Sequence, residues 1–330
     1  MLSYLARRVA LGALTIWVVS VLSFVIIQLP PGDFVSTYIA RLESQGTRVS
    51  QEEAALMRST YGLDQPMPVR YVKWIGQIAH GNFGMSLDYG QPVVNIIGDR
   101  LALTIVVTLA AMLFTWVIAL PIGIYSAVRQ YSVADYLFTF IGFLGLGVPS
   151  FLLALVLMYI GVVVFHASVG GFFSPDFVDA QWTWAKVWNL MQHLPLPAIV
   201  LGFAGTAQLI RIMRANLLDE LGKPYVITAR AKGLPEWRMI LKYPVRVALN
   251  PFASTIGFLF PQIVSGSIIV SLVLSLPTVG PVLLNALLGQ DMFLAGAIVL
   301  MIGVLTVVGM LISDLLLVWL DPRVRLVGHR

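Results

Sequence analysis

Of the chain's 330 residues, 58% are hydrophobic and only 11% are charged; a water-soluble domain carries charge on about a quarter of its residues. There is no cysteine, which excludes disulfides, thiolate metal sites and cysteine nucleophiles. The four histidines (His80, His166, His193, His329) show no His-x-x-x-His spacing, and the net charge of +5 needs no nucleic acid, because cytoplasmic loops of membrane proteins collect Lys and Arg.

Residues 9–29 form the first predicted span, preceded by Arg7 and Arg8. An apolar run of about 20 residues is long enough to cross a bilayer. No small-x-small cleavage site follows it, only Gln28-Leu-Pro-Pro-Gly-Asp33, so an uncleaved helix with a cytoplasmic N-terminus is expected. The arginine pair is read as an orientation signal rather than a twin-arginine export signal. A polar region follows over residues 31–100. In it Ser50-Gln-Glu-Glu53 has the spacing of a capping box, opening a short helix that Gly62 would stop. Val69, Val72, Ile75 and Ile78 repeat at helical spacing before Gly81. These are expected to be surface helices on the outer face, serving as a cap over a pore mouth or as a structural platform.

Further spans are predicted over residues 101–127, 136–165, 196–212, 249–276 and 293–320, making six in all. Pro121, Pro149 and Pro261 fall inside them and are tolerated where neighbours satisfy the freed carbonyls. Small residues such as Gly142, Gly145, Gly147, Gly257, Ser265, Gly266 and Ser267 suit close helix packing. With both termini cytoplasmic, 14 of the 21 basic residues fall on the inner side, as the positive-inside rule requires. Trp182, Trp184 and Trp188 precede the fourth span on the outer side and read as an interfacial belt rather than a sugar-stacking platform. Asp314 is the main charge within a span. A proton relay is the functional reading of such an acid; its place about two turns before Asp321 favours a structural pairing with a basic residue.

One polar island stands apart, residues 225–246, between two hydrophobic segments. Gly233 divides it into two helical pieces, the first running from about Leu218 to Lys232 and capped by the glycine. The second begins with Pro235 in its first turn. Arg238, Lys242 and Arg246 then fall on one basic stripe, and Leu234, Trp237 and Leu241 on an adjacent apolar one. Such a helix can lie on anionic lipid or fill a groove in a partner protein.

Thr228-Ala-Arg-Ala-Lys-Gly-Leu-Pro-Glu236, with Asn250-Pro251 beyond it, resembles the cytoplasmic coupling loop of bacterial ABC importer permeases. The dipeptide/oligopeptide/nickel permease family is the nearest resemblance, and it covers nearly the whole chain. Tyr4-Leu-Ala-Arg-Arg8, Pro31-Gly-Asp33, Tyr61-Gly-Leu-Asp-Gln-Pro66, Asp99-Arg-Leu101, Pro149-Ser-Phe151 and Asp321-Pro-Arg323 occur in family order. Gly233 matches the loop's signature glycine and Ala229 one of its alanines, while Ile227 stands where the general signature has an acid. Other departures are Gly81-Asn-Phe-Gly-Met-Ser86 for Gly-Asp-x-Gly-x-Ser, Ser271 for an acid, and Pro277-Thr-Val-Gly280 for Pro-Gly-Leu-Gly.

The resemblance implies an all-α, six-helix integral membrane protein of the type I ABC importer permease fold, in the bacterial inner membrane. Residues 1–100 would hold the first span and outer loop, and 101–330 a five-helix core with a coupling loop at about 218–247. It implies a homologous second permease subunit, two cytoplasmic ATPase chains and an extracytoplasmic binding protein. The ATPase contact would fall on Thr228, Ala229, Arg230, Ala231, Lys232, Gly233, Leu234, Glu236, Trp237, Arg238 and Leu241. Candidates for the translocation pathway are Pro149, Ser150, Gln262, Ser267 and Ser271. No Gly-x-x-x-x-Gly-Lys-Ser/Thr loop occurs in the chain, so no cofactor is expected on it, and ATP and Mg would be held by the partner ATPases. Di- or oligopeptides are the expected cargo, with oligosaccharides or opines as alternatives. An ion-coupled carrier would want several buried acids or histidines, and a membrane enzyme a Ser/His pair, His-Glu-x-x-His or paired aspartates; neither pattern is visible.

Overall fold

Where apolar residues run on for 20 positions and more, lipid offers the backbone no hydrogen-bond partner, and the chain closes its own bonds in helices. The computed structural model describes residues 2–29, 32–166 and 170–320, except for the side chains of residues 2–5, Asp99 and 257–267. Among the described residues the structure is all-α, with one isolated antiparallel bridge between Met85 and Pro92. In chain order the helices are α1 (Leu2–Ile27), α2 (Phe34–Ser44), α3 (Gln51–Thr60), α4 (Met67–Ala79), α5 (Val93–Val128), α6 (Val133–Gly147), α7 (Ser150–Val163) and α8 (Trp184–His193). There follow α9 (Pro195–Leu221), α10 (Pro224–Ala231), α11 (Glu236–Lys242), α12 (Pro244–Ala248), α13 (Asn250–Val273), α14 (Val279–Leu288) and α15 (Met292–Leu320).

Four of these, α1, α5, α9 and α15, are long and apolar enough to cross a membrane. The expected third span is not one helix: α6 and α7 meet at 109°. Pro149 lacks an N–H and pushes the residue before it out of the helical region, and Val148 is extended at φ −88°, ψ 123°. Pro121 follows Ala119 and Leu120, good helix formers, and stays inside α5, whereas Pro149 follows Gly145 and Gly147, which weaken the helix just before it. The predicted fifth span coincides with the 24-residue α13; Gln262 and Ser267 lie on it outside the described side chains, as Arg323, Arg325 and Arg330 lie beyond the described chain.

The chain forms two compact units. The first comprises residues 1–104 and 278–307. The predicted capping box is present: Ser50 accepts from Glu53 N and Glu53 accepts from Ser50 N, and Gly62 takes φ +65° after α3. Helix α2 has no counterpart among the predicted elements. Asp33 caps it, accepting from Ser36 N at 2.7 Å, and binds Arg58 of α3 at 2.7 Å. Phe34, Val35, Ala54 and Leu87 close the small core beneath. The helix expected before Gly81 is α4, with Gly81 at φ +80° beyond it; Val69 and Val72 are exposed, while Trp74 is 2% exposed against Phe24 and Tyr71. The indole has the most apolar surface to remove from water, so it decides which face turns inward. Buried Asp291 accepts from Ser86 Oγ and from the backbone N–H groups of Leu87, Asp88 and Leu294. Ser86, the last residue of the altered glycine motif, therefore has a structural partner.

The second unit comprises residues 105–277 and 308–330, with α9 as its central helix. Gly202 lets α5 approach until Thr115 Oγ1 donates to Gly202 O at 3.1 Å. Gly145 brings α6 against Phe203 and Ala207, and Arg214 of α9 pairs with buried Asp135 of α6 at 3.2 Å. Of the three tryptophans, Trp182, Trp184 and Trp188 are all exposed, and Trp182 also packs with Phe173 around Lys186.

Candidate functional site: a glycine-broken helical hairpin

Two prolines punctuate the polar island more firmly than the periodicity indicated. Pro224 occupies the first turn of α10, where a missing N–H costs nothing. Helix α9 therefore continues to Leu221 and stops at Gly222, so the predicted first piece, from Leu218, is divided between two helices. Pro244 does the same downstream. Helix α11 ends at Lys242, and Arg246 belongs to α12, which splits the expected basic stripe. Pro235 is the N-cap of α11 rather than its first residue, and Leu234 lies in the link before it.

Between α10 and α11 the chain reverses through Gly233 at φ +75°. An L side chain is strained in that left-handed region. The turn closes with Gly233 N–H donating to Arg230 O at 3.0 Å, and Arg230 reaches Glu236 at 3.2 Å across the break. Both ionic partners are well exposed, so the pair orients the turn more than it stabilises it.

The hairpin has an inner and an outer face. Val226, Ala229, Met239, Ile240, Val245 and Ala248 are buried against Leu209, Met213 and Leu217 of α9, Ala119 and Ala127 of α5, and Phe252 of α13. Met239 is 1% exposed. Outward stand Ile227, Leu234, Trp237 and Leu241, with Trp237 62% exposed and the Arg238 guanidinium 5.1 Å from its ring centroid. Of the predicted contact residues, Thr228, Arg230, Ala231, Lys232, Gly233, Leu234, Glu236, Trp237, Arg238 and Leu241 share this exposed surface. Ala229 does not; it belongs to the packed inner face, where a larger side chain would meet the core.

The pathway candidates are scattered by comparison. Pro149 is exposed, Ser150 opens α7 half-buried, and Ser271 is buried near the end of α13. Asp314 is half-buried within α15. Asp135 is not among the predicted site residues, although Ser132-Val-Ala-Asp135 has N-cap spacing. Ser132 accepts from Asp135 N, and the carboxylate accepts from Tyr131 N and from Arg214. Among the described residues no group of three or more His, Asp or Glu side chains could hold a metal ion.

The architecture is that of a multi-pass α-helical membrane protein with an exposed, glycine-broken hairpin rooted in its span core. The chain belongs to the binding-protein-dependent transport system inner membrane component family. It matches that family over residues 119–326 and the family's N-terminal component over residues 1–108. It is therefore a permease subunit of an ABC importer in the bacterial inner membrane. It is 34% identical over 325 residues to the oligopeptide transport system permease protein AppB of Bacillus subtilis, covering 98% of this chain and 99% of that one. It is 30% identical over 332 residues to the oligopeptide permease OppB of Mycobacterium bovis (98% and 99% covered). The dipeptide permease DppB of Lactococcus lactis is 28% identical over 328 residues (99% and 100%).

Proposed function

We propose that this chain carries di- or oligopeptides as half of a translocation pathway, and that its hairpin is the ATPase-docking element. The observation that carries the docking reading is the division of the hairpin. One face is packed into α5, α9 and α13, while Trp237, Leu241, Leu234 and Ile227 stand exposed in a segment bearing Arg230, Lys232 and Arg238. An exposed aromatic beside an arginine is the usual composition of an interface hot spot, and a short amphipathic helix in a partner's groove is a common mode of recognition. Family membership implies an ATPase and a binding protein as partners. The finer arrangement proposed is a homologous second permease and two ATPase chains holding ATP and Mg. The peptide cargo is supported by relatives of the same length that are named as peptide permeases.

Trp237→Glu places a charge where an apolar anchor is needed, and Gly233→Pro removes the N–H that closes the turn. The double variant should insert normally, yet lose ATP-driven uptake in proteoliposomes by at least about 30-fold, the scale of one hot spot. Uptake at the normal rate would overturn the docking assignment. Binding of peptides and oligosaccharides to the cognate solute-binding protein tests the cargo separately, and a preference for sugars would overturn it.

A further inference from the structure

We infer that the root of the hairpin binds the phosphate headgroup of an anionic phospholipid. A cavity of about 660 Å³ opens there, bounded by the end of α9, the start of α10, the junction of α11 with α12, and the end of α15. Lys223, Lys242 and Arg246 line it and are exposed, and none of the three forms an ion pair among the described residues. Among the described residues the one carboxylate in the lining, Glu220, accepts the Tyr225 hydroxyl. Three cations against one engaged acid make an anion site.

The remaining walls point to a lipid rather than a soluble anion. Val247, Tyr243 and Leu320 give the cavity an apolar side. Leu320 is the last residue of the 29-residue apolar helix α15, and its neighbour Trp319 is exposed. A span end bearing an exposed tryptophan lies at headgroup depth, where basic residues next to a span select anionic lipid. The tip cations Lys232 and Arg238 do not line the cavity, so the site is distinct from the proposed docking surface. Its leaflet rests on the cytoplasmic placement of the hairpin in the proposed function; its chemistry does not.

The test counts lipids and requires neither ATP nor transport, so its outcome is independent of the coupling assignment. The full-length chain, with its partner subunits, is extracted from bilayers of equimolar phosphatidylglycerol and phosphatidylcholine, and retained lipid is counted by native mass spectrometry. Phosphatidylglycerol should be enriched. The Lys223→Gln/Lys242→Gln/Arg246→Gln variant should lower that enrichment by roughly a hundredfold, with each cation contributing about fivefold. The charge-matched Arg7→Gln/Arg129→Gln/Arg211→Gln variant, at exposed positions outside both the cavity and the docking surface, should retain it, as should Lys223→Arg/Lys242→Arg. If the triple variant fails to fold, Arg246→Gln alone should still reduce enrichment about fivefold. Equal retention of the two lipids, unchanged enrichment in the lining variants, or equal loss in the charge-matched variant would overturn the proposal. Displacement of phosphatidylglycerol by millimolar inorganic phosphate would also overturn it, in favour of a soluble anion.

Discussion

Asp33 serves two elements with one carboxylate. It caps α2 through Ser36 N and ties α3 down through Arg58. Burial on its own would raise its pKa, but the hydrogen bonds from Arg58 and from the Ser36 side chain and backbone outweigh that, together with the Arg58 charge, and hold it below the ordinary 3.8. The reciprocal bond raises Arg58. A carboxyl with a depressed folded pKa contributes stability above its unfolded pKa and loses it as pH falls through the folded value. The α2–α3 pair should therefore lose up to about 1 kcal/mol as pH drops below 3.8, an amount kept small because both side chains are partly exposed. Hydrogen exchange in α2 and α3 across that range measures it. Asp33→Asn should lower protection at neutral pH by a similar amount and flatten the pH response.

At the scale of elements, glycines separate helices that must touch from helices that merely pass. A Cβ at Gly202 would lie 2.8 Å from Phe114 Cδ1 and Thr115 Oγ1 and 2.9 Å from the carbonyl oxygen of Ala111. Backbone cannot yield as a side chain does, so Gly202→Ala should force α5 and α9 apart and cost about 1–3 kcal/mol. At Gly76 in α4 nothing lies within 4 Å, and Gly76→Ala should stabilise by about 0.5–1 kcal/mol through helix propensity alone. Thermal unfolding in detergent compares the two, and the opposite order would refute the packing account. The elements themselves were legible in sequence where their signals are local. Ser50 and Glu53 name the start of α3 because the capping box involves only neighbours. The 109° turn between α6 and α7 was hidden, since an apolar run reports length and burial but not direction. Helix α2 was missed because Asp33 follows a Pro-Pro-Gly stretch that reads as a turn. In α11, Trp237 and Leu241 were legible as an apolar stripe, but Met239 and Ile240 are apolar as well. With both faces hydrophobic over seven residues, only the packed neighbours decide which face is inner.

For the whole molecule, the proposed docking of an ATPase requires that a push on the hairpin reach the spans. The inner face offers one continuous apolar route, because Met239 and Ile240 of α11 and Val226 of α10 share a core with Met213 and Leu217 of α9 and Phe252 of α13. Close-packed cores transmit displacement because they cannot compress, and a void would let the hairpin shift without carrying the spans with it. Contiguity alone does not prove coupling, so the two faces must be separated by experiment. Met239→Ala should cost about 2–5 kcal/mol by leaving a cavity. In the assembled transporter it should lower the number of solute molecules moved per ATP while the ATPase subunits remain bound. Trp237→Glu should have the opposite signature, weakening ATPase association while whatever complex remains moves solute at the ordinary ratio. Measuring ATPase co-purification beside the transport-to-hydrolysis ratio distinguishes them. If both variants lost ATPase binding alone, the inner face would be a scaffold for docking rather than the route by which the push is carried.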